Sequence, residues 1–175
     1  ENNPLDATTN VPNPIAEVEA TAHEAALAGH NAWMLTSTAL VLFMTAPGLA
    51  MFYSGLVRKK NVLGVMMQCL FIMCLMTVLW GLYGYTLSFG GDPADSTTNY
   101  NPWIGSGQFL LLDAVAATWS EEAGTGTFPM EGAVPRLTHM LFQGMFFIIT
   151  PALICGAFAE RMKFSAMLLF SALWL

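Results

Sequence analysis

His139, Phe142, Gln143 and Phe146 follow i, i+3, i+4, i+7 spacing, so on a helix they form one stripe. An imidazole above two aromatic rings suits cation reception, because ring faces attract ammonium-like ions by roughly 0.5–2 kcal/mol. The same spacing suits a face that packs on another helix or on lipid, and it leaves both readings open. Elsewhere the chemistry is sparse. Cys69, Cys74 and Cys155 show no zinc spacing with histidine, and the first two, five residues apart, fall on different helix faces. They read as small apolar packing residues. The Gly124-Thr125-Gly126-Thr127 stretch lacks the lysine and strand context of a phosphate loop and reads as a turn. With no nucleophile–base pair and no metal cluster, the expectation is a protein that is not an enzyme and has no cofactor or metal.

The elements that must hold the stripe are long uncharged runs at residues 31–57, 61–91 and 137–159. Each exceeds the ~20 residues that cross a hydrocarbon core of ~30 Å as helix. Between the first two lie Arg58, Lys59 and Lys60, and after the third come Arg161 and Lys163. Short basic loops stay on the cytoplasmic side, so the first span runs inward, the second returns and the third runs inward again. A fourth helix starts at residues 164–175. The expected class is an all-α integral membrane protein, multi-pass in the cell membrane, with an external N-terminus. Residues 1–30 form an external segment ahead of the membrane part at 31–175. Its 15–27 stretch is Ala/Glu-rich, could form a surface helix and is too polar to span. The chain opens at Glu1 with no methionine, as a removed signal peptide or a trimmed chain would leave it.

Composition agrees: 55% of residues are hydrophobic and only 10% charged, too few to wet a surface all round. On this topology eleven of the twelve acids lie outside with Arg136 as the only external base, a net of −10 against +4 on the cytoplasmic side. A negative exterior concentrates cations at any mouth it surrounds, though such acids also simply solubilise loops.

Within the spans, Pro47-Gly48 and Pro151 predict kinks. Tyr53 fits the interfacial aromatic belt. Gly81 and Gly84 permit close helix approach, and Gln68 predicts an interhelical hydrogen bond. The connection at 92–136 is long enough to have structure of its own. Its apolar-periodic run at 107–119 predicts a short interfacial helix, anchored by Trp103, Trp119 and Phe128.

The run Phe142-Gln143-Gly144-Met145-Phe146, then Ile149-Thr150-Pro151-Ala152-Leu153-Ile154, then Gly156-Ala157-Phe158-Ala159-Glu160-Arg161-Met162-Lys163-Phe164-Ser165-Ala166, strongly resembles the ammonium transporter family (Amt/Mep/Rh). The stretch from Thr38 to Leu63 looks like that family's first helix and loop, and Trp80 to Phe89 fits the end of its second. The resemblance covers roughly residues 32 to 175. It implies an eleven-helix fold, two inverted five-helix repeats plus one helix, assembled as a homotrimer with one pore per subunit. It also implies that Phe146 matches the gate phenylalanine of the third helix. Phe142 then matches the vestibule aromatic one turn above, and Phe52 a residue lining the lower pore. His139 and Gln143 stay possible vestibule residues, with an interfacial histidine the alternative for His139.

The partners the resemblance implies are ammonium or ammonia, with methylammonium as analogue, the lipid bilayer, and a possible cytoplasmic regulatory protein; no nucleic acid is expected. The family's twin pore histidines, second gate phenylalanine and remaining vestibule residues lie further along than Leu175. The expectation is therefore an N-terminal portion of a longer polypeptide, or one piece of a split protein. An ammonium sensor with a C-terminal signalling module and a non-transporting scaffold subunit remain as alternatives. The physics of an apolar pore is independent of the resemblance. Dehydrating a bare cation is prohibitive, whereas a neutral amine crosses at modest cost. Ammonium has a proton to lose, and potassium does not.

Overall fold

The computed structural model describes residues 14–91, 101–120 and 124–174. The Pro/Asn-rich start of the chain and the acids Glu1, Asp6, Asp92, Asp95, Glu121 and Glu122 lie outside the described residues.

Helix α1, Pro14–Phe43, begins in an alanine-rich sequence of high helix propensity. The expected surface helix at 15–27 is therefore its first half and not a separate element. Pro47 has no N–H for the preceding turn. The backbone adapts by widening to a π-helix over Met44–Leu49 and continues as α2, Ala50–Leu56. The whole rod is 43 residues long. At 1.5 Å per residue it reaches about 65 Å, roughly twice a hydrocarbon core, so one half must project beyond the membrane.

A short 3-10 turn at Lys59–Asn61 leads into α3, Val62–Leu79, which passes through a second π-helix, Trp80–Gly84, into α4, Tyr85–Phe89. No proline marks this second widening. After α5, Arg136–Phe158, Glu160 turns the chain in the left-handed region (φ 67°) towards α6, Phe164–Leu173. The α5 backbone stays α-helical through Pro151, so the proline does not change the helix type as Pro47 does. Its neighbour Thr150 returns its hydroxyl to the Phe146 carbonyl at 2.7 Å. Among the described residues three helical segments are long and apolar enough to cross a membrane: Pro14–Leu56, Lys59–Phe89 and Arg136–Phe158.

The connection between α4 and α5 departs from expectation. Residues 107–119 form a 3-10 turn at Gly107–Leu112 broken by left-handed backbone at Leu111 and Leu112, not an interfacial helix. Its apolar residues are spent inward: Phe109 and Val115 are buried against Trp80, Tyr85 and Met140. Before that turn the chain crosses the end of α4 backbone to backbone. Gly105 N–H donates to Leu87 O at 2.7 Å and Ser106 N–H to Gly90 O at 2.9 Å. A Cβ on Gly90 or Gly105 would overlap backbone oxygens across this crossing, so only glycine fits there. The Gly124-Thr125-Gly126-Thr127 stretch supplies the return strand of a hairpin, β1 (Thr118–Ser120) with β2 (Thr125–Thr127). A second hairpin, β3 (Met130–Glu131) with β4 (Val134–Pro135), feeds α5. Trp103, Trp119 and Phe128 are all exposed.

The main core joins the spans through Leu49, Ile72, Met76, Ile148, Ile149, Ala152, Cys155 and Met167. Cys69 and Cys155 are buried packing residues, and Cys74 is exposed.

Candidate functional site

Helix α5 is oriented by its small residues. Trp80 lies so close to Gly144 that a Cβ there would overlap the indole, whose Nε1 donates to the Met140 carbonyl at 3.0 Å. Thr138 donates to Asn31 Oδ1 of α1 at 2.7 Å. Gly156 gives the same close approach to Tyr53, whose hydroxyl donates to the Leu153 carbonyl at 2.8 Å. These three contacts fix α5 along its length and leave one side of it open. That open side carries Phe142 and Phe146.

The two rings meet edge to face, with centroids 5.1 Å apart and planes at 70°. Phe146 is 44% exposed and Phe142 half-buried. Such a pair offers a ring face to an approaching cation while remaining apolar to water.

The rest of the stripe is divided. His139 turns towards α4: its Nδ1 lies 3.4 Å from the Tyr85 hydroxyl and its ring stands edge-on to Phe89 at 4.8 Å. Gln143 lies beside it, Nε2 to Nε2 at 3.4 Å. The imidazole thus sits among the rings of the second span and not above Phe142 and Phe146. The physical reason is that α4 supplies aromatic and hydroxyl partners on that flank. Phe52 is 60% exposed on α2 and tilts against Tyr53 at 5.4 Å. Among the described residues no ring contact joins it to Phe142 or Phe146.

Two clusters were not legible from spacing. At the N-terminus of α5 the Arg136 guanidinium lies 4.8 Å over the Phe109 ring and pairs with Glu131 at 3.3 Å. It also donates to the Ala114 carbonyl. The one sequence signal was that Arg136 is the only base away from the two basic loops. At the basic end, Glu160 accepts from Asn61 Nδ2 at 2.7 Å and from the Arg58 backbone N–H at 3.1 Å. The Asn61 bond first, then the Arg58 amide, with Arg58 and Lys60 charges nearby, holds the Glu160 carboxyl below the usual carboxylate range. Among the described residues no group of three or more His, Cys, Asp or Glu is placed to hold a metal.

Membrane-length helices packed through small residues define a helical membrane protein. Residues 32–175 match the model of the Ammonium Transporter Family, and the chain belongs to that family. It is 47% identical over 146 residues to an ammonium transporter of Mycobacterium bovis, covering 83% of this chain and 30% of the relative. An ammonium transporter of Bacillus subtilis is 38% identical over 136 residues, covering 78% and 30%. Among solved structures, a point mutant of Candida albicans Mep2 superposes with a TM-score of 0.63 at 28% identity, over 82% of this chain and 28% of that one. Saccharomyces cerevisiae Mep2 gives 0.62 at 27% identity with the same coverage. The fold is the all-helical membrane fold of these proteins. The chain spans about a third of the length of the curated relatives it matches.

Proposed function

We propose that this chain forms part of an ammonium transporter, with Phe142 and Phe146 on the wall of its substrate pathway. The edge-to-face pair on the open side of α5 carries the reading. A conducting wall needs rings that are fixed in place yet exposed to the lumen, and the anchors at Trp80, Asn31 and Tyr53 provide that fixing. Phe142 receives the cation in the outer vestibule, and Phe146 closes the apolar passage below it. Phe52, exposed on the first span, lines the lower pore. His139 and Gln143 act from behind the pathway, held against Tyr85 and Phe89.

The arrangement disfavours a hydrated alkali ion and favours a species that can shed a proton. The complete protein is a homotrimer in the cell membrane, not an enzyme, with its N-terminus external and its basic loops facing the cytoplasm and any regulatory protein there. The functional test is uptake of methylammonium by the full-length protein in cells lacking their own transporters. Saturable uptake, competed by ammonium and untouched by potassium, is the expected result. Equal competition by the two ions would overturn it.

A further inference from the structure

His139 and Gln143 stand one turn apart on α5, and each limits what the other can do. The Gln143 amide nitrogen lies 3.4 Å from His139 Nε2. An amide NH2 group only donates, so Nε2 accepts and the neutral imidazole carries its proton on Nδ1. That Nδ1 lies 3.4 Å from the Tyr85 hydroxyl, to which it donates. Tyr85 is buried and set among the rings of Trp80, Phe89 and Phe109, and the Phe89 ring also meets the imidazole edge-on. Gln143 is thus held from behind by its nitrogen, and its oxygen is the end left over. Among the described residues nothing donates to that oxygen, and it is not sealed off. Successive helical residues turn by about 100°, so Gln143 stands roughly 60° round from Phe146, at the border of the open side.

We propose that Gln143 is a specificity-determining residue of the ammonium pathway, its amide oxygen accepting an N–H of the incoming ion, with His139 as the positioning residue that keeps the oxygen forward.

The chemistry complements the rings. Ring faces attract any cation of suitable size. A single carbonyl oxygen adds a directional acceptor that one N–H of ammonium satisfies, whereas an alkali ion needs a whole ring of oxygens to replace its water. Turned the other way, the amide would present its NH2 group and repel the same ion. Without the imidazole nothing on α5 holds the favourable orientation.

This role rests on the Phe142–Phe146 flank being the pathway wall, and the test separates the two. KM and Vmax for methylammonium uptake are measured with the full-length protein at equal amounts in the membrane. A hydrogen bond to a charged group is worth roughly tenfold or more in affinity, so Gln143→Leu should raise KM at least tenfold and change Vmax far less. His139→Phe, which keeps a ring against Phe89, should raise KM by about threefold or more. In the Gln143→Leu background the same change should move KM less than twofold, because His139 acts through Gln143. A KM that stays or falls in Gln143→Leu would overturn the proposal, as would an equal effect of His139→Phe in both backgrounds. Should Gln143→Leu not reach the membrane, Gln143→Met, closer to glutamine in length, gives the same reading. Impaired uptake in Phe146→Ala beside an unchanged KM in Gln143→Leu would sink this role alone. Unimpaired Phe146→Ala would sink the pathway wall and this role with it.

Discussion

The two ends of the bundle are held by opposite means. At the end where α4 meets α5, backbone crossings, a buried threonine, an indole and a guanidinium over a ring interlock within a few turns. At the basic end a single exposed carboxylate, Glu160, bridges two loops about a hundred residues apart. The first end is buried and overdetermined. The second is wet, and solvent screens whatever its charges contribute. One end of the bundle is thus rigidly interlocked, and the other is tied by a single solvent-exposed carboxylate. The interlocked end is the one next to Phe142.

The strongest way to break this contrast is at Gly105. In Gly105→Val the new side chain meets the backbone oxygens of Thr86 and Leu87, which cannot yield as a side chain could. Overpacking of this kind costs on the order of 3 kcal/mol or more, so little folded protein should survive detergent extraction. A normal yield with an unshifted melting curve would show that the crossing is not rigid. Thr86→Val is milder. It removes the bond from Thr86 Oγ1 to the Ser106 carbonyl and leaves the Phe109 N–H without its acceptor. Unsatisfied buried groups cost about 1–3 kcal/mol, so the melting temperature should fall and the Phe109 amide should exchange faster.

The smallest effect is expected at Glu160→Gln, which keeps an acceptor for Asn61 but loses the charge. Global melting should barely move, while hydrogen exchange at the Arg58 amide speeds up. The pH dependence has a definite sign. The folded-state carboxyl titrates below its usual value, so the link is complete above the ordinary glutamate pKa of about 4.3 and is lost as pH falls through the lowered folded value. Exchange at Arg58 that accelerates already between pH 8 and 6 would contradict this.

The extent of the third span was legible because apolar length is a local property, whereas the first helix starts at Pro14 and not at residue 31. The expected run at 137–159 and the observed Arg136–Phe158 differ by one residue at each end. Side-chain direction was not, because it depends on partners far along the chain. His139 turns towards Tyr85 and Phe89, fifty or more residues earlier, and nothing in the spacing of α5 signals that flank. The π-helix at Pro47 had a proline to announce it, whereas the one at Trp80 had none. Phe147 teaches the same lesson. One residue from Phe146, it packs on Trp80 at 4.8 Å. Its truncation would therefore disturb the fold and makes it a poor control for pathway effects.

Leu141, exposed on the same helix, is the better control. The central claim is that the open side of α5 is a wall of the ammonium pathway, and the direct measurement is methylammonium uptake by full-length Phe146→Ala beside Leu141→Ala. Both variants should assemble and melt like the parent. Phe146→Ala should lower saturable uptake at least tenfold, and Leu141→Ala should leave it within about twofold. Uptake by Phe146→Ala equal to the parent, at equal protein in the membrane, would contradict the account.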